Sequence, residues 1–163
     1  VLNGVSKAYA MTGWRIGYAA GNAKVIAAMT KVQSQSTSNA TSIAQSAAVA
    51  ALDGDQSFIA TMAAIFKGRH DHVVEALNRI KGFRCARTDG AFYSFFSVKD
   101  AMDHTPGMKN DVDFAENVLE AAGVALVPGS AFGAPGYMRL SFATDMDTLR
   151  EAMRRLENAL GTA

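Results

Sequence analysis

A long stretch of helical periodicity, at about residues 56–80, constrains the fold of this chain more than any other feature. At about 1.5 Å per residue, a helix of this length exceeds the diameter of a small domain. The pattern therefore predicts a helix that passes from one domain to the next. The positions that recur every three or four residues are Phe58, Ile59, Met62, Ile65, Phe66, His70, Val73, Val74, Leu77 and Ile80.

The segments on the two sides of this helix differ in character. Before it, the pattern predicts short strands at 1–2 and 15–20, helices at 23–32 and 43–52, and an ordered polar connection at 33–39. Ser42 is the expected N-cap of the second helix. After Gly82 the order is β-β-α-β-β-α, with a helix at 111–122 capped by Asp111. We therefore predict an α/β chain with domains at 1–65 and 66–163.

Composition excludes several classes of function. Apolar residues make up 49% of the 163 residues and charged residues 19%, so a buried core is expected and disorder is not. A net charge of +1 with scattered basic residues argues against a nucleic-acid partner. No apolar run has the length of a membrane span. His70 and His72 face different ways on a helix, so no metal site is predicted.

The single cysteine and the first residue bear on where the protein works and how much of it this chain represents. Cys85 cannot form an intrachain disulfide, which fits a reducing compartment such as the cytoplasm. The chain begins at Val1 within strand-like residues. We expect it to be a piece of a longer protein.

Two basic residues flank a Thr-Gly turn near the start of the chain. Lys7 has small or apolar neighbours, and removal of a lysine from water disfavours its charged form and leaves an amine able to attack a carbonyl. Arg15 carries the planar fork of donors that suits a phosphate. A solvated surface lysine and a surface ion pair are the alternatives. The turn at Thr12-Gly13 would bring both ends of the segment to one pocket.

A third basic residue, Arg139, lies in the middle of a strand predicted at 137–143. Alternation places Arg139 on the face opposite the apolar residues Met138 and Leu140. A guanidinium flanked by core residues needs an anionic partner. Both a substrate carboxylate and an internal Asp or Glu satisfy that need.

Four segments of the sequence resemble landmarks of one enzyme family in the same order. The first closely resembles the cofactor-lysine motif of class I aminotransferases of fold type I, and the others resemble later landmarks of that family. The resemblance covers essentially the whole chain. The segments are NGVSKAYAMTGWRIGY from Asn3, DGAFY from Asp89, VPG from Val127 and MRLSFA from Met138.

The resemblance implies both a fold and a chemistry. The chain would be the end of the large domain of a pyridoxal-phosphate-dependent transferase, joined by the long helix to an α+β small domain. Lys7 would be the catalytic lysine that links to pyridoxal phosphate, Arg15 would bind the cofactor phosphate, and Arg139 the substrate α-carboxylate. The substrates would be an amino acid, aspartate or similar, and a 2-oxo acid. The family is usually homodimeric.

The resemblance also indicates what this chain lacks. The aspartate at the cofactor's pyridine nitrogen, a tyrosine near its phenolate oxygen and a phosphate-binding turn would lie upstream, so this chain alone is predicted to be inactive. Some aspartate aminotransferases read the side-chain carboxylate with an arginine where residues 34–39 contain none. Another fold type I enzyme, such as a lyase or synthase, and a non-catalytic regulatory domain remain as alternatives.

Overall fold

The computed structural model describes residues 1–162, which form two compact units. The first unit is Val1–Thr61, and the second begins at Met62. The division falls within the helix that the sequence predicts at 56–80. Both units contain helices and strands, so the prediction of a mixed α/β chain is confirmed. No helix within residues 1–162 has the length and apolarity required to cross a bilayer.

The first unit consists of a small hairpin-like ladder followed by helices. Strand β1 (Leu2–Gly4) pairs antiparallel with β2 (Gly17–Ala19), and a 3-10 turn at Thr12–Trp14 lies between them. Helices α1 (Ala23–Ser36) and α2 (Ser42–Asp53) follow. Helix α3 (Ser57–Leu77) begins in this unit and ends in the second.

Two details of the first unit correct the sequence-based expectations. The predicted polar connection begins four residues too early, because α1 continues through Ser36. No Gly or Pro interrupts that stretch, and the Ser34 hydroxyl donates to the Lys31 carbonyl within the helix. The N-cap of α2 is Thr41 rather than Ser42, which is the first helical residue. Only Val5, Ala44 and Ala48 are buried apolar residues in this unit.

The second unit is built on a four-stranded antiparallel sheet in the order β3-β4-β6-β5. The two edge strands have only two residues each, and Phe95 of β4 lies opposite Arg139 of β6. The elements are β3 (Arg84–Cys85), β4 (Tyr93–Ser97), α4 (Lys99–Asp103), α5 (Asp111–Ala122), β5 (Val127–Pro128), β6 (Tyr137–Ser141) and α6 (Met146–Leu160).

One face of this sheet carries the core. Phe96 and Met138 are fully buried there, whereas Tyr93, Phe95 and Arg139 on the other face are half-buried or exposed. The predicted alternation along β6 is confirmed by this pattern. Helices α3 to α6 and the connecting segments contribute most of the remaining core side chains, so the apolar face of the sheet is the covered one. The other face is left available for polar chemistry.

At the start of helix α5, one side chain caps the helix and the next one contacts a distant turn. Helix α5 has the predicted bounds, but its N-cap is Asn110, whose Oδ1 accepts hydrogen bonds from the amides of Val112 and Asp113. The sequence pattern predicts Asp111 as the cap of this helix, and that prediction is wrong. It is 2% exposed, and its Oδ2 accepts a hydrogen bond from the Ser130 amide at 2.7 Å. Helix α4 was not predicted.

Candidate functional site

The basic residues identified from the sequence fall into two groups, one in each unit. Lys7 and Arg15 line the same open cleft of about 570 Å³ in the first unit. Arg139 lies on the half-exposed face of the sheet in the second unit. The remaining residues that line the first cleft are Asn3, Gly4, Ser6, Ala8, Ile16 and Gly17.

The β1–β2 ladder brings the two ends of the lysine segment together. Gly4 is paired with Gly17, and a Cβ on Gly17 would lie only 3.1 Å from the Asn3 carbonyl oxygen. A side chain at this pair would therefore push the strands apart. Ser6 and Lys7 lie two and three residues after the end of β1, and Arg15 and Ile16 immediately precede β2, so the pairing places all four around one cleft.

Local hydrogen bonds shape the segment between the strands. The Trp14 amide donates to the Met11 carbonyl at 3.2 Å, which closes the 3-10 turn. Arg15 follows the turn in the left-handed region, with φ 50° and ψ 49°, and its Nη1 donates to the Thr12 carbonyl at 2.7 Å. A non-glycine residue with this backbone carries strain, which is commonly tolerated where a side chain must point in a required direction.

Tyr9 fastens the middle of the same segment. Its hydroxyl donates to Gln56 Oε1 at 2.7 Å, and its ring meets Phe58 edge-on with centroids 5.8 Å apart. Val5 is 1% exposed and anchors the start of the segment. Lys7 itself is exposed, as are Ala8 and Ala10. The expectation that sequence neighbours desolvate Lys7 is therefore wrong for this chain, because small neighbours beside a lysine do not by themselves cover it.

Arg139 has an unusual set of partners. Its Cζ lies over the rings of Tyr93 and Phe132, 4.5 Å from each ring centroid. Within residues 1–162, no Asp or Glu carboxylate forms an ion pair with it. Of the two partners considered from the sequence, the structure therefore offers no internal carboxylate. An external anion remains.

Sequence reasoning missed the contact of Phe132 with Arg139 and the contact of buried Asp111 with the Ser130 amide. Phe132 ends a turn rich in small residues, and the sequence pattern indicates Asp111 as a helix cap. The only relevant signal in the sequence is the alternation of apolar residues along the neighbouring strands, and this alternation does not identify either contact. Among residues 1–162, no group of three or more His, Cys, Asp or Glu side chains converges as metal ligands would.

The fold and the arrangement of these residues agree with a comparison at the level of protein families. The sequence profile described as "Aminotransferase class I and II" matches residues 1–156. This chain therefore belongs to the aminotransferase class I and II family, whose members depend on pyridoxal phosphate.

Individual relatives support the same assignment. The chain is 54% identical over 165 residues to an aspartate/prephenate aminotransferase of Nitrosomonas europaea, covering 98% of this chain and 42% of the relative. It is 48% identical to an asparagine–oxo-acid transaminase of Streptococcus mutans, covering 96% and 40%. The crystal structure of an aspartate aminotransferase from Rhizobium meliloti superposes with a TM-score of 0.91 at 46% identity, covering 100% and 42%. The chain thus spans about two fifths of the length of the relatives it matches.

Proposed function

We propose that the protein to which this chain belongs is a pyridoxal-phosphate-dependent aminotransferase. It would move an amino group between an amino acid, aspartate or a similar one, and a 2-oxo acid. The observation that carries the proposal is the cleft that joins Lys7 and Arg15 in a chain of this family. A lysine amine and an arginine guanidinium at one cleft match the two reactive ends of the cofactor, an aldehyde and a phosphate.

The residues of the cleft fit this cofactor. The Ser6 hydroxyl adds a donor beside the two basic groups, and Gly4 and Gly17 allow the close strand pairing that brings both ends of the segment to the cleft. Arg15 Nη1 is held by the Thr12 carbonyl, which orients the guanidinium while its other N–H groups stay available to phosphate oxygens. When bound, pyridoxal phosphate supplies an electron sink that stabilises negative charge at the substrate Cα.

Each basic residue has a distinct role in the proposed reaction. Lys7 Nζ holds the cofactor and moves the proton at the substrate Cα. Arg15 binds the phosphate through parallel N–H donors, and Arg139 binds the substrate α-carboxylate. The exposure of Lys7 in this chain is consistent with a site whose remaining walls come from elsewhere in the full-length protein.

The same proposal assigns the two domains predicted from the sequence. Residues 1–65 would be the end of the large cofactor domain and the start of the connecting helix, and 66–163 the small domain. The full-length protein would be a cytoplasmic homodimer. This chain alone would be inactive, since it spans about two fifths of its relatives' length. The similarity to an aspartate/prephenate aminotransferase and to an asparagine–oxo-acid transaminase favours aspartate, asparagine and prephenate as candidate substrates.

Borohydride trapping on the full-length protein tests the proposal directly. Incubation with pyridoxal phosphate, reduction and peptide mass mapping should give a stable adduct on the peptide that contains Lys7. The variant Lys7→Arg should lose the adduct, whereas Lys24→Arg, at an exposed position of α1, should keep it. Aspartate should then convert the unreduced protein to its amino form, followed by absorbance. A folded protein without an adduct at Lys7 would leave a family-like scaffold that binds ligands without turnover.

A further inference from the structure

The contacts of Arg139 suggest that its neighbours do more than fill space. A guanidinium is planar and carries all five N–H donors in its plane, so ring contacts through its π surface leave the donors for an anion. Within residues 1–162, the guanidinium N–H groups of Arg139 form no hydrogen bond with another residue, while its Cζ lies 4.5 Å from the ring centroids of Tyr93 and Phe132. The rings therefore hold the cation without neutralising it.

The two rings are held in different ways. Tyr93 belongs to β4 and lies opposite Ser141 of the neighbouring strand, so ladder hydrogen bonds fix its position. Phe132 is the last residue of the 3-10 turn Gly129–Phe132, and its side chain is 49% exposed. Core packing therefore does little to place the Phe132 ring. Whatever fixes the turn also fixes this contact with Arg139.

The turn is fixed from two sides. Gly129 packs so closely against β6 that a Cβ there would lie 2.7 Å from the Tyr137 Cβ, and it would also lie 2.3 Å from the Ala134 carbonyl oxygen. On the other side, Asp111 Oδ2 accepts a 2.7 Å hydrogen bond from the Ser130 amide. Asp111 is 2% exposed and Asn110 does the capping of α5, so the helix start does not account for a buried carboxylate at this position.

We propose that Tyr93 and Phe132 hold the Arg139 guanidinium in the orientation that receives a carboxylate, and that Asp111 is a positioning residue that acts through Phe132. The identification of that carboxylate as the substrate's rests on the proposed function. Pre-orientation matters because an arginine side chain otherwise loses rotamer freedom when it binds. The pair of rings removes most of that loss before the anion arrives.

Propionate binding to the full-length protein tests the role of the rings without turnover. The ligand is titrated while the Arg139 Nε–Hε signal, identified by its absence in Arg139→Lys, is followed by NMR. Phe132→Leu should raise the Kd for propionate about 3- to 10-fold, and Phe132→Tyr, which keeps a ring, should restore it. Leu119→Ala removes a side chain that is 51% exposed on α5 and serves as the control. An unchanged Kd in Phe132→Leu, or no response of Arg139 to propionate, overturns the inference.

A double-variant cycle tests Asp111. Asp111→Ser shortens the side chain beyond reach of the Ser130 amide, and Asp111→Asn keeps an acceptor oxygen. Asp111→Ser should weaken propionate binding, and its combination with Phe132→Leu should be no weaker than Phe132→Leu alone. Additive losses would overturn the role through Phe132. If Asp111→Ser does not fold, Asp111→Asn still decides, since a Kd raised more than about 3-fold there contradicts a role that needs only an acceptor.

Half-reaction kinetics on the same variants separate this inference from the proposed function. Phe132→Leu should raise KM for the amino acid by the same factor as the propionate Kd, with kcat nearly unchanged. A working half-reaction with neither KM nor Kd altered refutes the inference alone. No half-reaction, together with the expected changes in propionate Kd, refutes the proposed function and supports carboxylate recognition at Arg139.

Discussion

The two units of this chain bury their apolar residues to very different extents. In the second unit, 22 apolar residues from the helices, the sheet and the connecting segments form one buried cluster. In the first unit, three apolar residues are buried, while Val25, Val32, Ile43 and Val49 are all more than half exposed. Both units have well-defined helices and strands. The first unit therefore shows that helices and strands are present in this chain even where no closed apolar core surrounds them.

The difference teaches that the amphipathic pattern of a segment indicates a face to be covered, without indicating what covers it. Helices α1 and α2 present apolar faces that this chain leaves open. The relatives are more than twice as long as this chain. We expect the remainder of the full-length protein to cover these faces.

The largest effect is expected when the two regions of the chain are produced as separate polypeptides. A polypeptide of residues 57–163 should unfold in one cooperative thermal transition, because it retains the whole buried cluster. A polypeptide of residues 1–56 should show little cooperativity, since burial of three small or medium side chains cannot offset the loss of chain entropy. Circular dichroism melts at equal concentration make the measurement. A sharp transition in 1–56 would contradict the contrast between the units.

A matched pair of leucines sharpens the comparison. Leu156 is fully buried in the second unit, and Leu52 is 41% exposed in the first. Leu156→Ala should lower the free energy of unfolding by about 2–5 kcal/mol, and Leu52→Ala by less than about 1 kcal/mol. Urea denaturation of this chain measures both. In the full-length protein, the cost of Leu52→Ala should rise if that face becomes covered, and an equal cost in both contexts would refute the idea.

Helix caps provide a smaller test. Asn110 caps α5 and accepts two amide hydrogen bonds, whereas Asn22 caps α1 and accepts one, from Lys24. Asn110→Ala should lower the free energy of unfolding of the second unit by about 1 kcal/mol. Asn22→Ala should reduce helix content without moving a cooperative transition, because α1 belongs to no closed core. Asn110→Asp keeps a capping oxygen and is the control, and a loss as large as that of Asn110→Ala would argue against capping.

The smallest expected effect is on the pH dependence of stability in the second unit. Hydrogen bonds from the Thr148 amide and hydroxyl lower the pKa of Asp145 from 3.8 to about 2 at the start of α6. The folded pKa lies below the unfolded one, so this cap contributes stability above about pH 4, and the contribution is lost as the pH falls towards 2. Asp145→Asn, which caps without titrating, should flatten the dependence of the unfolding midpoint on pH between those values. An unchanged slope would contradict the role of Asp145.

The elements that could be predicted from sequence are those set by local chemistry. The bounds of α5 follow from its periodicity and from Gly123, which takes the left-handed conformation at the helix end. The face of Arg139 follows from strict alternation along β6. The choice between Asn110 and Asp111 as cap could not be made, because both side chains favour that position and a contact with Ser130, nineteen residues on, decides it.

The candidate site shows the same division. The turn between Lys7 and Arg15 could be predicted because Thr-Gly turns are local features. The exposure of Lys7 could not, since it depends on which other segments cover the loop. The partners of Arg139 depend on strand pairing with β4 and on the position of the Phe132 turn, and neither is encoded near Arg139. The sequence indicates that a guanidinium in this strand requires interaction partners, and only the fold identifies which residues those partners are.

The short edge strands of the sheet have a consequence for self-association. Strands β3 and β5 have two residues each, and β5 includes Pro128, which has no amide proton to offer an incoming strand. Edges of this kind resist the strand-by-strand growth that leads to fibrils. Aggregation of this chain at high concentration should therefore proceed through the uncovered apolar helix faces of the first unit. The aggregates should be amorphous, should be promoted by kosmotropic salts, and should not bind dyes that recognise cross-β structure.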